Sequence, residues 1–456
     1  MTCASATQHR ATQHTNKFIS ATKIAYSMTI FKKTDFYFLL FIFYFIFCTF
    51  FTSCTVPKRL SPAIEHPTTV DIINEIKPTE QKKETIVKIG IIENTDNILV
   101  SIEDDFEIID IKTDEKTKMS ANVYSANVAK QGIIFGKEQF FNDIKIIQSS
   151  VSTTKQISCS QDDEIVIKKS DKKISINGKK YRGNIILKIS NGKKLTVINE
   201  LYLEEYVCGV MTKEVSPTWF PESLKAQAVV ARTYAIKNLG LHGSHGFDLC
   251  PQTHCQVYGG FNSEDERTNK AVYDTAGEVL KYEGVIANTF YHSSCGGRTE
   301  GVRNVWNCSA TKNPEYLTGV KCGFCKQDKW CNWSASVSLK TIGHNLQSFG
   351  YKIGDVKRIK LVGRTSSNRV KEILVEHSKG KLWLLANRFR LVINPNIVRS
   401  TNFTIKIKNN IVYFRGHGWG HGVGMCQWGA KGMAENGWDY KKILEHYYHD
   451  TEIDKN

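Results

Sequence analysis

Two Asn-Gly dipeptides constrain the fold of this chain more than any other feature. Asn177-Gly178 follows Ile174 and Ile176, and Asn191-Gly192 lies between the run Ile185 to Ile189 and Leu195 and Val197. Asn and Gly accept positive φ at little cost, so this pair beside β-branched residues predicts tight antiparallel hairpins. Upstream, Ile86-Val87-Lys88-Ile89-Gly90-Ile91-Ile92, Ile98 to Val100 and Phe106 to Ile109 also read as short strands, and Lys357 to Phe403 is strand-like again. One segment departs from this pattern. From Phe220 to Ala235, Leu224, Ala228, Ala231 and Ala235 recur at helical spacing, and Pro221 suits a first helical turn, where its missing N–H costs nothing. Asn436-Gly437 should end a later helix, and Asp439 should cap the next. The expected class is α+β: an antiparallel, strand-rich body with a few helices and an N-terminal β-rich extension.

The amino end predicts export. Phe36 to Phe51 is almost unbroken apolar sequence, preceded by Lys32 and Lys33 and followed by Ser53-Cys54. A basic start, an apolar core and a small residue before the cut make a secretion signal. Cys54 is then the candidate lipidation site of a lipoprotein; the alternative is an uncleaved anchor helix, somewhat short for a span of about 20 residues. Either places the body outside the cytoplasm, tethered to a membrane on the periplasmic or cell-wall side. Four of the nine prolines fall between Thr55 and Lys82, which predicts an extended linker. The expected organisation is a leader or anchor at 1–54, a linker at 55–84, a β-rich region at 85–173 and a catalytic domain at 174–456. A formal charge of +16 over 456 residues is compatible with nucleic acid, anionic lipid or an anionic polymer, but the lysines are scattered through strand-like segments, which favours a solvated basic surface over a dedicated patch. Nucleic acid is disfavoured by the export signal.

Glu214 stands between Lys213 and Val215, just before the predicted helix, with Trp219 and Phe220 close by in sequence. A carboxylate buried against such residues has a raised pKa and is fitted to donate and recover a proton. Gln227 and Arg232 follow on the helix, where they either solvate its surface or orient a sugar or Glu214. His417 and His421 lie four apart, but Gly416, Gly418, Gly420, Gly422 and Gly424 surround them. That segment is a loop, not a helical metal face. Its readings are a tight structural turn, or a ligand-facing wall in which His417, His421 and a stacking Trp419 meet a sugar.

Three ordered blocks carry a family resemblance. The first runs from Val197-Ile198-Asn199-Glu200-Leu201 through Glu214 to Ala231-Arg232-Thr233-Tyr234-Ala235. The second is Tyr291-His292-Ser293-Ser294-Cys295-Gly296-Gly297-Arg298-Thr299-Glu300. The third is Gly416 to Ala430, followed by Ile443-Leu444-Glu445-His446-Tyr447-Tyr448. Together they resemble the stage II sporulation protein D / LytB family (SpoIID-like). The resemblance implies a lytic transglycosylase that cuts peptidoglycan glycan strands, with Glu214 as its acid/base and His292, Ser293 and Ser294 in the same cleft. The family also contains members described only as amidase enhancers. It therefore implies a cell-wall amidase as a partner, and it leaves a non-catalytic wall-binding role as the alternative.

Ten of the thirteen cysteines lie in the body, an even number that favours disulfides in an exported chain. Cys308, Cys322, Cys325 and Cys331 are expected to pair in this way in an oxidising compartment; the alternative is a closed structural zinc site of four thiolates. The resemblance implies a structural zinc in the segment of Cys250, His254 and Cys255, with a fourth ligand such as His245 and no part in the chemistry; the alternative is a Cys250–Cys255 disulfide.

Overall fold

The computed structural model describes residues 84–148, 153–160, 163–169, 172–306 and 314–455. The leader, the linker, Cys54 and Cys308 lie outside the described residues. Among those residues no helix is long and apolar enough to cross a membrane.

The amino-terminal half is built on two six-stranded sheets. In the first the order is Ile86–Thr95, Lys194–Tyr202, Asn184–Ser190, Ile144–Gln148, Phe106–Asp110 and Lys116–Met119. In the second it is Lys179–Tyr181, Ile174–Ile176, Asn97–Ile102, Asn122–Ala129, Gly132–Phe135 and Glu138–Phe140. Every pairing within them is antiparallel. Both Asn-Gly signals produce the expected hairpins. Asn177 and Gly178 turn at φ 49° and 80°, Asn191 and Gly192 at 51° and 66°. Strands from both sides of residue 173 share each sheet, so the division expected there runs through the two sheets rather than between domains.

Two helices follow: α1 (Leu203–Glu214) and α2 (Pro221–Lys237). The face read from sequence on α2 is buried as expected, with Leu224, Ala228, Ala231 and Ala235 in the core beneath the sheets. Full burial of a side chain such as Leu224 contributes roughly 1.5–3 kcal/mol. The opposite face is buried too. Ala226, Val229 and Val230 pack into a second core shared with Val423, Met425, Ile443 and Leu444. α2 is therefore a central helix between two cores. A third core, around Ile342, Ile373, Phe389 and Phe414, holds the segment Trp333 to Gly416. The strand-like stretch Lys357 to Phe403 contains three strands there, but also the helix Ala386–Ile393. Asn436 and Gly437 end the helix Gln427–Glu435, with Gly437 at φ 80°, and the Asp439 side chain accepts from Lys442 N–H to cap Tyr440–Tyr447. The class is α+β, with predominantly antiparallel sheets and a strand-rich amino-terminal region.

Candidate active site

Glu214 is the last residue of α1, and Val215 ends the helix in extended backbone. The free carbonyls at a helix carboxyl end carry partial negative charge, which disfavours an ionised carboxylate. Burial acts in the same direction and is the dominant influence raising the Glu214 pKa. Three donors oppose it: the Val257 backbone N–H, the Tyr291 hydroxyl and the Gln427 side-chain amide. The result is a carboxyl group pushed up from its ordinary range yet supplied with partners for its charged form. That is what an acid that must also serve as a base requires.

The surround is not the one read from sequence. Phe220 is 49% exposed, whereas Tyr206, Tyr234 and Tyr291 lie within electrostatic reach of Glu214. A relay of polar side chains runs behind the carboxylate. Tyr206 Oη donates to Gln256 Oε1 at 3.2 Å, and Gln256 Nε2 donates to Tyr291 Oη at 3.1 Å. Gln427 Nε2 lies 3.5 Å from Glu214 Oε2 and 3.3 Å from Gln227 Oε1. Trp219 and Trp428 approach with ring centroids 5.3 Å apart.

Three distant segments assemble this arrangement. Tyr291–His292 pairs in parallel with Met425–Cys426. Ser294 and Trp419 exchange backbone hydrogen bonds at 2.9 and 2.8 Å, and Ser293 O accepts from Trp428 N–H at 3.0 Å. The glycine-rich segment is a loop, as expected. Gly418, Gly420, Gly422 and Gly424 all have positive φ, and a Cβ at Gly424 would collide with the Phe290 carbonyl.

The candidate substrate residues divide. Gln227 is fully buried beside Gln427, and its own Nε2 has no partner among the described residues. Arg232 is a correction. It is fully buried and engaged with Glu204 through Nε (2.7 Å) and Nη2 (2.6 Å), and with the carbonyls of Val272 and Glu278. Such a guanidinium, bonded through all three nitrogens and closed off from solvent, ties helices together and is out of reach of a sugar. His292 is 4% exposed, with Nδ1 3.1 Å from Val423 O, and burial pushes its pKa down to about 3. Neutral His292 and His421, whose pKa burial also lowers, lie with rings 5.6 Å apart and brace the glycine loop. Ser294 is buried, and Trp419 packs edge-on to Trp330 at 5.6 Å. His417 is exposed and lines a groove of about 490 Å³ with Trp333, Asn368, Arg364 and Arg415. Glu214 does not line that groove.

The metal candidates are gathered, with one substitution. His242, Cys250, His254 and Cys255 have ligand atoms within 4.8 Å of one another. His242 Nε2 is 3.4 Å from Cys255 Sγ, and His254 Nδ1 is 3.7 and 3.6 Å from the two sulfurs. Zinc bonds of about 2.3 Å to sulfur and 2.0 Å to nitrogen give tetrahedral edges of about 3.3–3.8 Å. The donor set and its spacing fit that ion. His245 does not join them: its Nδ1 pairs with Glu93 Oε2 at 3.1 Å. The same loop turns through Pro251 and Gln252 and delivers Val257 to Glu214 and Gln256 to Tyr291. The expected disulfides are also corrected. Cys322, Cys325 and Cys331 are free, and the first two meet Cys295 and Cys426.

Sequence reasoning gave no role to Tyr291, Gln256, Val257 or Gln427. Tyr291 and Gln427 lay inside the second and third blocks, but only tertiary structure brings them to Glu214.

Residues 191–282 match the family profile described as stage II sporulation protein, and residues 297–424 match a domain of unknown function. An uncharacterized protein of Brachyspira hyodysenteriae is 35% identical over 281 residues, covering 61% of this chain and 73% of the relative. A Bacillus subtilis protein named amidase enhancer is 31% identical over 325 residues, 62% of this chain and 45% of that relative. Stage II sporulation protein D of Bacillus subtilis is 28% identical over 272 residues, 56% of this chain and 75% of the relative.

Proposed function

The chain belongs to the stage II sporulation protein D family, and from that membership we propose that it is a lytic transglycosylase of peptidoglycan, tethered to a membrane and acting on glycan strands stripped of stem peptides. The observation that carries this reading is the Glu214 carboxyl: half-buried, raised in pKa by desolvation, and met by donors from three segments.

One carboxyl suffices for this reaction. Protonated Glu214 gives its proton to the glycosidic oxygen as the bond from that oxygen to the anomeric carbon of muramic acid breaks. The carboxylate, steadied by Val257, Tyr291 and Gln427, then takes the proton of the muramic acid C6 hydroxyl. That hydroxyl oxygen bonds to the anomeric carbon and closes a 1,6-anhydro ring. Glu214 ends as it began, and no water enters, so the second carboxylate of most glycosidases is not needed. Zinc held by His242, Cys250, His254 and Cys255 would supply folding energy, not chemistry. Its loop would hold Val257 in place. Lactyl carboxylates of the glycan suit a chain of charge +16.

The tether is a lipid on Cys54 or an uncleaved anchor helix at Phe36 to Phe51, followed by the proline-bearing linker. A second reading draws on the relative named amidase enhancer: the body binds wall and stimulates a cell-wall amidase, with the amino-terminal sheets as the partner surface.

Mass spectrometry of products from denuded and intact peptidoglycan separates the two. The transglycosylase leaves 1,6-anhydromuramic ends on denuded strands, and Glu214→Gln leaves none. Reducing ends without the anhydro ring would mean hydrolysis. No cleavage, with a rise in amidase rate on addition of the protein, would favour the enhancer.

A further inference from the structure

We propose that Cys295, Cys322, Cys325 and Cys426 bind one zinc ion in a second, closed structural site. The four thiols come from three separated segments: the strand-end block after Tyr291–His292, the Cys322-Gly323-Phe324-Cys325 turn, and the short strand Met425–Cys426. Their exposures are 0, 1, 2 and 0%. All four sulfurs lie within 4.8 Å of one another, with Cys295 and Cys325 at 3.6 Å. A tetrahedron of zinc–thiolate bonds has sulfur–sulfur edges of about 3.8 Å. A polynuclear iron–sulfur cluster interposes its own inorganic core and needs its cysteines further apart.

Backbone donors already point at the sulfurs. Cys295 N–H and Gly429 N–H donate to Cys426 Sγ at 3.2 and 3.3 Å, and Gly297 N–H donates to Cys295 Sγ at 3.3 Å. Such bonds favour thiolate over thiol and tune metal ligands from outside.

A second observation concerns Arg369. Its guanidinium is fully buried and donates from Nη2 to the Cys295 carbonyl at 2.8 Å, while Nε and Nη1 have no partner among the described residues. A buried cation requires a counter-charge. Glu300 supplies one negative charge nearby, but its oxygens bond Gly301, Asn304, Thr365 and Ser367 and none bonds the guanidinium. Four thiolates around a divalent ion carry a net charge of about −2 by formal counting. Cys295, Cys325 and Cys426 lie within the electrostatic range of Arg369. Two disulfides among the same cysteines would be neutral and would leave Arg369 without this compensation.

The consequence reaches the cleft. Cys426 caps the helix Gln427–Glu435, and its neighbour Gln427 approaches Glu214. The metal thus clamps the strand pair and helix that carry Tyr291 and Gln427.

Metal analysis of the full chain, purified without a histidine tag, tests this. The wild type should hold two zinc ions. Cys250→Ser should retain one, held by four thiolates, and cobalt exchange into that variant should give the strong sulfur-to-metal absorption of such a set. Cys322→Ser should also retain one, with weaker absorption from the mixed site, and the double variant none. If Cys322→Ser fails to fold, the Cys250→Ser chain decides alone. No metal in it, iron in place of zinc, or disulfide-linked peptides among these four cysteines would overturn the site. Loss of zinc from the wild type that tracks Cys250 alone would do the same. None of these outcomes depends on glycan cleavage.

Discussion

Gln427 approaches Glu214 across more than two hundred residues of sequence, its Nε2 3.5 Å from the carboxylate Oε2. The distance is at the long end of hydrogen bonding. Catalytic hydrogen bonds are often long before substrate arrives and tighten when it does. Gln427 donates to the ionised carboxylate and so holds the Glu214 pKa below the level burial alone would set. Removing the donor raises it further. In Gln427→Leu the alkaline limb of the kcat/KM profile should therefore move to higher pH, because the acid keeps its proton longer. The rate below that limb should fall about tenfold or more as the carboxylate loses stabilisation as a base. An alkaline limb that stays put or moves down would remove Gln427 from this role.

Glu214→Gln should abolish release of anhydromuramic ends, a loss of at least about 10³-fold if one group does all proton transfer. It should also stabilise the protein at neutral pH. The Glu214 pKa in the folded state is raised. Its contribution to stability is therefore full below the ordinary carboxylate pKa and is lost as pH rises through the folded value. A neutral amide escapes that loss. The melting temperature of the variant at pH 7–8 should exceed wild type by about 2 °C, with the difference closing towards pH 4. A variant less stable at both pH values would contradict the raised pKa of the half-buried carboxyl.

Arg232→Met leaves Glu204 as an uncompensated, largely buried charge, and both residues lie in a bidentate pair. Breaking a buried pair by removing one partner costs about 3–5 kcal/mol. Denaturant melts should show that loss, while glycan affinity of the remaining folded protein should be unchanged. The pair variant Arg232→Met with Glu204→Leu should recover part of it. A selective rise in KM without destabilisation would return Arg232 to the cleft.

Local chemistry was legible in the sequence where a residue type meets a single backbone demand. The Asn-Gly hairpins, Pro221 at a first turn and the Asp439 cap belong to this class. The helix α1 was not legible. Eight of its twelve residues are buried, so it has no polar stripe and no clear period. Glu214 could be singled out, but not its placement at a helix carboxyl end. The cysteine groups failed for another reason. Cys322 and Cys325 advertise themselves by spacing, whereas Cys295 and Cys426 reach them only through tertiary pairing. Between His242 and His245, three residues apart, sequence offered no means of choosing. A short turn at Gly243–His245 directs one to the sulfurs and the other to Glu93.

That choice yields the last prediction. His242→Ala removes one of four donors from the Cys250, His254 and Cys255 group, and should cost the chain the zinc of that site or weaken its binding about 10- to 100-fold or more. His245→Ala leaves the donors intact, removes only a half-exposed contact to Glu93, and should change metal content little. The effect should extend to the acid. The loop that carries these donors presents Val257 N–H to Glu214, and this donor lowers the carboxyl pKa. Freeing the loop withdraws it, so the alkaline limb of activity should rise in His242→Ala and stay fixed in His245→Ala. Zinc content by plasma mass spectrometry and pH–rate profiles on the same preparations test both steps. Equal zinc in wild type and His242→Ala, with loss in His245→Ala, would restore the ligand set expected from sequence.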